Sequence, residues 1–412
     1  MLDKLNSKAS ILSSGLLLIV TMFSFSILSN STFNNYPTST LAQPFIETVK
    51  HRDLVIDLGN GIQTNAQLTI PAVGNGPFPG VLLVHGTGPT DMNETLSPDV
   101  KPFWQIAQYL SERGFVVLRY DKRGVDANAT IIDPNVWGNI TFESLKNDAA
   151  KALNVLVEQP EVNRSKINLI GHSEGTIIIP RVVIDLNSNN NNNNNNNTST
   201  GNLTKVANIV MMGTGAQNLI DIIYFQVVDN LLSYAHQVLD KNHTGAFSVQ
   251  QPIEHPQLSQ LVATFFGNNT TGYVDIENEL RPALEKVFEN ITTGDIEAKC
   301  PAGMCPIFVR SHAELEPNLS VIGNVSESTS ILMMNGENDS QSTVQQAFLL
   351  EQRLTEVNHP DHTLITYPDL GHLFSPSSQW FAEFGPIEQY VLSDLHRWLS
   401  DHTHGLRGLD GG

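Results

Sequence analysis

Apolar residues along the chain alternate between two periods. On either side of Asn60-Gly61, LVIDLGNG and IQTNAQLTIP switch between apolar and polar positions, which predicts a hairpin. Val81-Leu82-Leu83-Val84-His85 is a short unbroken apolar run, the pattern of a strand covered on both faces. Pro102 opens a stretch in which Phe103, Ile106, Ala107 and Leu110 recur at helical spacing, and Gly114 ends it. Residues 115–120 predict another buried strand, and Leu145, Ala149, Leu153 and Leu156 mark a helix stripe. Strands are expected at 166–170, 207–212, 331–334 and 363–367, with helices at 176–186 and 386–399.

Strands that alternate with helices imply a mostly parallel sheet with helices on both faces, an α/β fold. The alternation stops between about 217 and 307, where helical periodicity replaces it. That stretch reads as a mainly helical cap inserted into a core formed by residues 45–216 and 308–400. It carries Phe225, Tyr234, Phe247, Phe265, Phe266, Tyr273 and Phe288, some for its own interior and some for a face above the core. The asparagine tract at 189–197 has nothing to bury and is expected to be a loop, and residues 401–412 a flexible tail.

Composition changes the picture in three places. A formal charge of −19, from 42 acidic against 23 basic residues, argues against nucleic acid as a partner. Lys4 and Lys8 precede an uncharged apolar run at 11–29, so residues 1–42 read as a cleaved export signal or an uncleaved membrane anchor. Asn-x-Ser/Thr sequons, Asn93, Asn139 and Asn318 among them, fit an exported chain. In an oxidising compartment Cys300 and Cys305, in KCPAGMCP, would close a small disulfide loop; no cluster beside them completes a metal site.

Candidate chemistry centres on Gly171-His172-Ser173-Glu174-Gly175, which follows a predicted strand and precedes a predicted helix. A nucleophile on such a turn is strained, and its neighbours must be glycine because a side chain there would strike the adjoining strand and helix. A serine needs a base, and the base an orienting acid. Asn335-Gly336-Glu337-Asn338-Asp339 and Leu370-Gly371-His372 each follow a later strand. Chain order after Ser173 selects His372 as the base, and Asp339 is favoured over its competitor Glu337 as the acid because it lies further past the strand. His85-Gly86-Thr87-Gly88 follows an early strand, so the backbone N–H groups of Thr87 and Glu174 are the candidate oxyanion donors, worth about 3 to 4 kcal/mol for one donor. Asp121 to Gly124 read as a structural turn; the side chains of His172 and Glu174 read as packing or hydrogen bonding beside the serine, with contact to substrate as the alternative.

The stretch VLLVHGTGPTD…KPFWQIAQYLSERGFVVLRYDKRG…LIGHSEG…MMNGENDSQSTV…YPDLGHLF resembles the α/β-hydrolase superfamily, closest to esterases related to serine aminopeptidase-like and prolyl oligopeptidase-like hydrolases. The likeness covers roughly residues 47 to 400. It implies a carboxylic ester substrate, a cap before the strand that precedes the acid, and no metal or cofactor. Family members usually carry Val-Pro-Val-like residues after the acid, where this chain has Ser340-Gln341-Ser342-Thr343-Val344. The sequence therefore points to an exported serine hydrolase that cleaves esters through an acyl-enzyme. A peptidase acting on small peptides or amino-acid amides is the alternative, and a non-catalytic binding protein on this scaffold a more distant one.

Overall fold

The computed structural model describes residues 48–195, 205–293 and 305–404. The first hairpin joins β1 (Val49–Gly59) to β2 (Ile62–Pro71). Asn60 and Gly61 both take positive φ, 56° and 77°, as the tight hairpin turn requires. There follow β3 (Phe78–Val84), α1 (Pro102–Ser111), β4 (Val116–Tyr120), and a two-residue ribbon of β5 (Val125–Asp126) and β6 (Thr130–Ile131). Next come α2 (Pro134–Gly138), α3 (Phe142–Val157), β7 (Val162–His172), α4 (Gly175–Asn195) and β8 (Val206–Met212).

Beyond β8 lies the insertion. Its helices are α5 (Leu219–Tyr224), α6 (Asn230–Tyr234), α7 (Pro256–Phe266), α8 (Arg281–Thr293), α9 (Pro306–Ala313) and α10 (Asn318–Val321). A short antiparallel ribbon, β9 (Ala246–Ser248) with β10 (Tyr273–Asp275), sits among them. The core then resumes with β11 (Ser330–Gly336), α11 (Val344–Glu356), β12 (His362–Tyr367) and α12 (Gln389–His404).

The main sheet has the order β1-β2-β4-β3-β7-β8-β11-β12. Pairing is antiparallel from β1 through β2 to β4 and parallel from β4 onward. Because successive strand residues face opposite sides, Leu82 and Val84 pack with Leu145, Leu153, Ile178 and Leu350, whereas Val81 and Leu83 pack with Phe103, Leu110, Val391 and Leu395. The apolar interior of the insertion, including Ile223, Val227, Leu258 and Leu284, is continuous with the first of these faces.

Three boundaries differ from expectation. The asparagine tract expected as a loop from 189 is helical through Asn195, since extending an existing helix avoids the cost of nucleation. The final helix runs to His404 rather than stopping at 399, because Thr403 is buried and takes a hydrogen bond from Asn208 at 3.3 Å. The insertion runs past 307 through α9 and α10, whose Phe308 and Val309 belong to the same apolar interior. The expected N-terminal signal or anchor, Cys300 and its pairing with Cys305, and residues 405–412 lie outside the described residues. No helix among the described residues is long and apolar enough to cross a membrane.

Candidate active site

All parallel strands deliver their carboxyl ends to one edge of the sheet, and the loops after β3, β7, β11 and β12 meet there. β7 ends at His172 and α4 begins at Gly175, so Ser173 and Glu174 form the turn. Ser173 has φ 54°, a conformation that residues other than glycine seldom adopt. The turn is held by Ser173 N–H donating to Met212 O at 2.9 Å and Thr176 N–H donating to Ser173 O at 2.9 Å. A Cβ on Gly171 would stand 2.4 Å from Gly175 O, and one on Gly175 2.1 Å from Val84 O. Both glycines are therefore sterically required at this crossing of strand and helix.

His372 and Asp339 come from the loops after β12 and β11. His372 Nδ1 donates to Asp339 Oδ2 at 2.7 Å, with both side chains buried. The other carboxylate oxygen, Asp339 Oδ1, accepts Gln341 N–H at 2.9 Å and Ser342 N–H at 2.8 Å, which fixes the carboxylate plane. Glu337 is exposed and accepts from Thr366 Oγ1 at 2.8 Å. His372 Nε2 is buried with no hydrogen-bond partner among the described residues, so no hydrogen bond yet joins it to Ser173 Oγ.

Ser173 and His372 line one pocket together with Gly86, Thr87 and Glu94. Leu96, Ile177, Leu219, Ile222, Ile223 and Leu373 supply its apolar wall. Leu219, Ile222 and Ile223 come from α5, so the insertion faces the serine with aliphatic side chains. Its aromatics pack elsewhere: Phe247 is buried, Phe288 packs edge-on to Tyr224 of the insertion at 5.0 Å, and Tyr234 packs edge-on to Trp380 of the segment after β12 at 5.8 Å. Phe225 lines a neighbouring cavity that shares Ile222, Gln341 and Ser342 with the first. Tyr273 is exposed.

The backbone N–H groups of Thr87 and Glu174 donate to no protein acceptor among the described residues. Around them lie charges that the sequence reading passed over. Glu94 Oε1 accepts Gly86 N–H at 2.8 Å, and Glu94 Oε2 lies 3.0 Å from His172 Nδ1. His172 Nε2 faces the backbone oxygen of His372 at 3.2 Å. Burial opposes charge on His172, yet the Glu94 carboxylate raises its pKa above the ordinary value.

On the other side of the elbow, Lys122 Nζ donates to Gly86 O at 2.5 Å and to Glu174 Oε2 at 3.0 Å. His312 Nε2, from α9, meets Glu174 Oε1 at 2.7 Å. Burial works against the Glu174 carboxylate, but Lys122 and His312 outweigh it and hold its pKa at about 2. Burial and the nearby Lys122 charge lower His85 to about 4, so its ring is neutral at neutral pH.

Glu94 and His312 were not singled out from the sequence, and Lys122 was read only as part of a structural turn. The available signal was charge inside otherwise glycine-rich or apolar text, GTGPTDMNE and DKRG. Asn318, a sequon residue, is buried with its amide donating to Thr176 O and Gly215 O, which leaves no room for a glycan. Among the described residues no group of three or more His, Cys, Asp or Glu is placed to hold a metal ion.

The sheet order, its parallel pairing beyond β4 and the strained strand–turn–helix at Ser173 define the α/β-hydrolase fold. No protein-family model matches the chain. Esterase EstD of Thermotoga maritima is 39% identical over 137 residues, a match that spans 33% of this chain and 30% of that esterase. Among solved structures, the chain is similar to the hypothetical protein PA2218 from Pseudomonas aeruginosa (TM-score 0.48, 16% identity, 90% of this chain and 100% of that one). It is also similar to Est1E from Butyrivibrio proteoclasticus (TM-score 0.48, 12% identity, 85% and 99%). A third is the Pyrococcus horikoshii acylaminoacyl peptidase (TM-score 0.47, 11% identity, 89% and 43%).

Proposed function

We propose that this chain is a serine hydrolase that cleaves carboxylic esters through an acyl-enzyme. The observation that carries the reading is His372. One ring nitrogen is bonded to the buried Asp339 and the other is free, in a pocket shared with Ser173. Because a carboxylate only accepts, the bond to Asp339 places the ring proton on Nδ1 and leaves Nε2 as a base. Ser173 Oγ attacks the ester carbonyl and passes its proton to Nε2. Negative charge develops on the carbonyl oxygen, where the N–H groups of Thr87 and Glu174 receive it. The imidazolium then protonates the leaving alcohol, and water repeats the sequence to release the acid.

An ester is favoured over a short peptide because neither carboxylate of the pocket lining is free to bind an amino terminus: Glu94 already engages Gly86 N–H and His172, and Glu174 engages Lys122 and His312. The basic residues ahead of the apolar run 11–29 support an extracytoplasmic protein, secreted or membrane-tethered. In that compartment Cys300 and Cys305 are expected to be joined, and thiol titration of unreduced protein reads this directly.

The test is a panel of p-nitrophenyl esters and amino-acid p-nitroanilides, run with fluorophosphonate labelling of wild type and Ser173→Ala. Ester turnover and labelling lost only in Ser173→Ala is the expected result. Labelling of a different serine, or turnover of anilides alone, would overturn it.

A further inference from the structure

Gly86 sits in an awkward position. A Cβ there would lie 3.0 Å from Ser173 Cβ, a tight contact that would push the loop and the serine apart by a few tenths of an ångström. The same absence of a side chain makes the backbone soft. Yet the peptide that follows, Gly86 C=O to Thr87 N–H, is the one whose N–H must stay aimed at the reacting oxygen. Something outside the loop has to hold it.

Two buried charged side chains grip Gly86, one on each side. Glu94 takes its N–H at 2.8 Å, and Lys122 Nζ donates to its C=O at 2.5 Å. The second contact matters more, because Gly86 C=O and Thr87 N–H belong to one planar trans unit and point in opposite directions. Fixing the oxygen therefore fixes the aim of the N–H. A cation on the oxygen also draws density from the amide nitrogen and strengthens its N–H as a donor. Lys122 itself is held by Glu174, with side chains only 3% and 0% exposed. Glu174 in turn carries the other candidate oxyanion N–H and is braced by His312 of α9 at 2.7 Å.

We infer that Lys122, braced by Glu174, is a positioning residue that aims and polarises the Gly86–Thr87 peptide as an oxyanion donor. The inference rests on the Ser173 ester-hydrolase reading above. It adds that the buried ion pair acts on the transition state rather than only on the fold.

The experiment compares wild type, Lys122→Met, and the charge-balanced Lys122→Met/Glu174→Gln, with active sites counted by fluorophosphonate titration. The assays are kcat and KM for p-nitrophenyl acetate, and Ki for an aryl trifluoromethyl ketone whose serine adduct places an oxyanion at the Thr87 and Glu174 N–H groups. Losing one oxyanion donor typically costs about 100- to 1,000-fold. Misaiming one should lower kcat per active site by about 10- to 100-fold, with KM within about threefold and the ketone Ki rising in step with the loss in kcat/KM.

If folded variants keep kcat/KM within about threefold, or lose kcat with the ketone Ki unchanged, the inference fails. It also fails if neither variant folds, which would assign the pair to stability. Wild type that is not labelled at Ser173 and does not turn over esters would instead remove the underlying reading.

Discussion

Replacing Asp339 by asparagine exchanges one carboxylate oxygen for an NH₂ and leaves the outline of the side chain intact. The outcome follows from which oxygen is replaced. Asp339 Oδ1 accepts two backbone N–H groups, from Gln341 at 2.9 Å and Ser342 at 2.8 Å. An amide in this position keeps its oxygen there, because its NH₂ would face two donors. The NH₂ must then occupy the site of Oδ2, 2.7 Å from His372 Nδ1. That forces Nδ1 to accept and moves the ring proton to Nε2, where it blocks proton uptake from Ser173. A base locked in the wrong tautomer costs about 10⁴ in kcat, which corresponds to about 5 kcal/mol of transition-state stabilisation. Glu337→Gln removes only an exposed charge and keeps an oxygen that can accept the Thr366 hydroxyl. Its kcat should stay within about twofold, as expected for surface changes away from the site. Steady-state hydrolysis of p-nitrophenyl acetate, normalised to active sites, decides between them. A kcat for Asp339→Asn within tenfold of wild type, or a larger loss in Glu337→Gln, would refute the tautomer argument.

Two further outcomes follow from the pocket wall and the buried acid. Ile222→Ala enlarges the aliphatic wall that α5 contributes, so kcat/KM for longer acyl chains should rise relative to acetate by about fourfold for each newly accommodated methylene, at about 0.8 kcal/mol each; an unchanged chain-length profile would place specificity elsewhere. Glu174 is held at about 2 against an ordinary carboxylate value of 4.5, so its contribution to stability is full above that ordinary value and is lost as pH falls toward 2. Urea unfolding at pH 6, 4 and 2.5 should therefore show the stability gap between wild type and Lys122→Met/Glu174→Gln narrowing as the acid is protonated; a gap independent of pH would show that Glu174 is not ionised in the folded protein.

Much of this arrangement was legible because it is local or follows chain order. The glycines at 171 and 175 are demanded by backbone atoms at the start of α4 and the end of β3, and the pattern that reports this is written within five consecutive residues. Strand periodicity set where each loop emerges, and the order of the loops put Asp339 and His372 after β11 and β12, at the same sheet edge as Ser173. Helix ends were less legible. Burial of Thr403 against Asn208 extends α12, and Phe308 in the shared interior extends the insertion, and both are tertiary contacts that hydrophobic period does not report.

The buried charges were the least legible part, for a physical reason. Lys122 meets Glu174 across 52 positions of sequence, and His312 meets it across 138. A charged residue in a loop reads as solvated, since burying a lone ion costs several kcal/mol. Only a partner brought in by the fold reverses that expectation. Periodicity and motif spacing describe how backbone segments are covered, and they hold no information about which distant ion will neutralise which. The residues most easily passed over in the sequence are thus those whose burial depends most on the completed fold. They surround the Gly86–Thr87 peptide, where a small error in aim would matter most to the proposed chemistry.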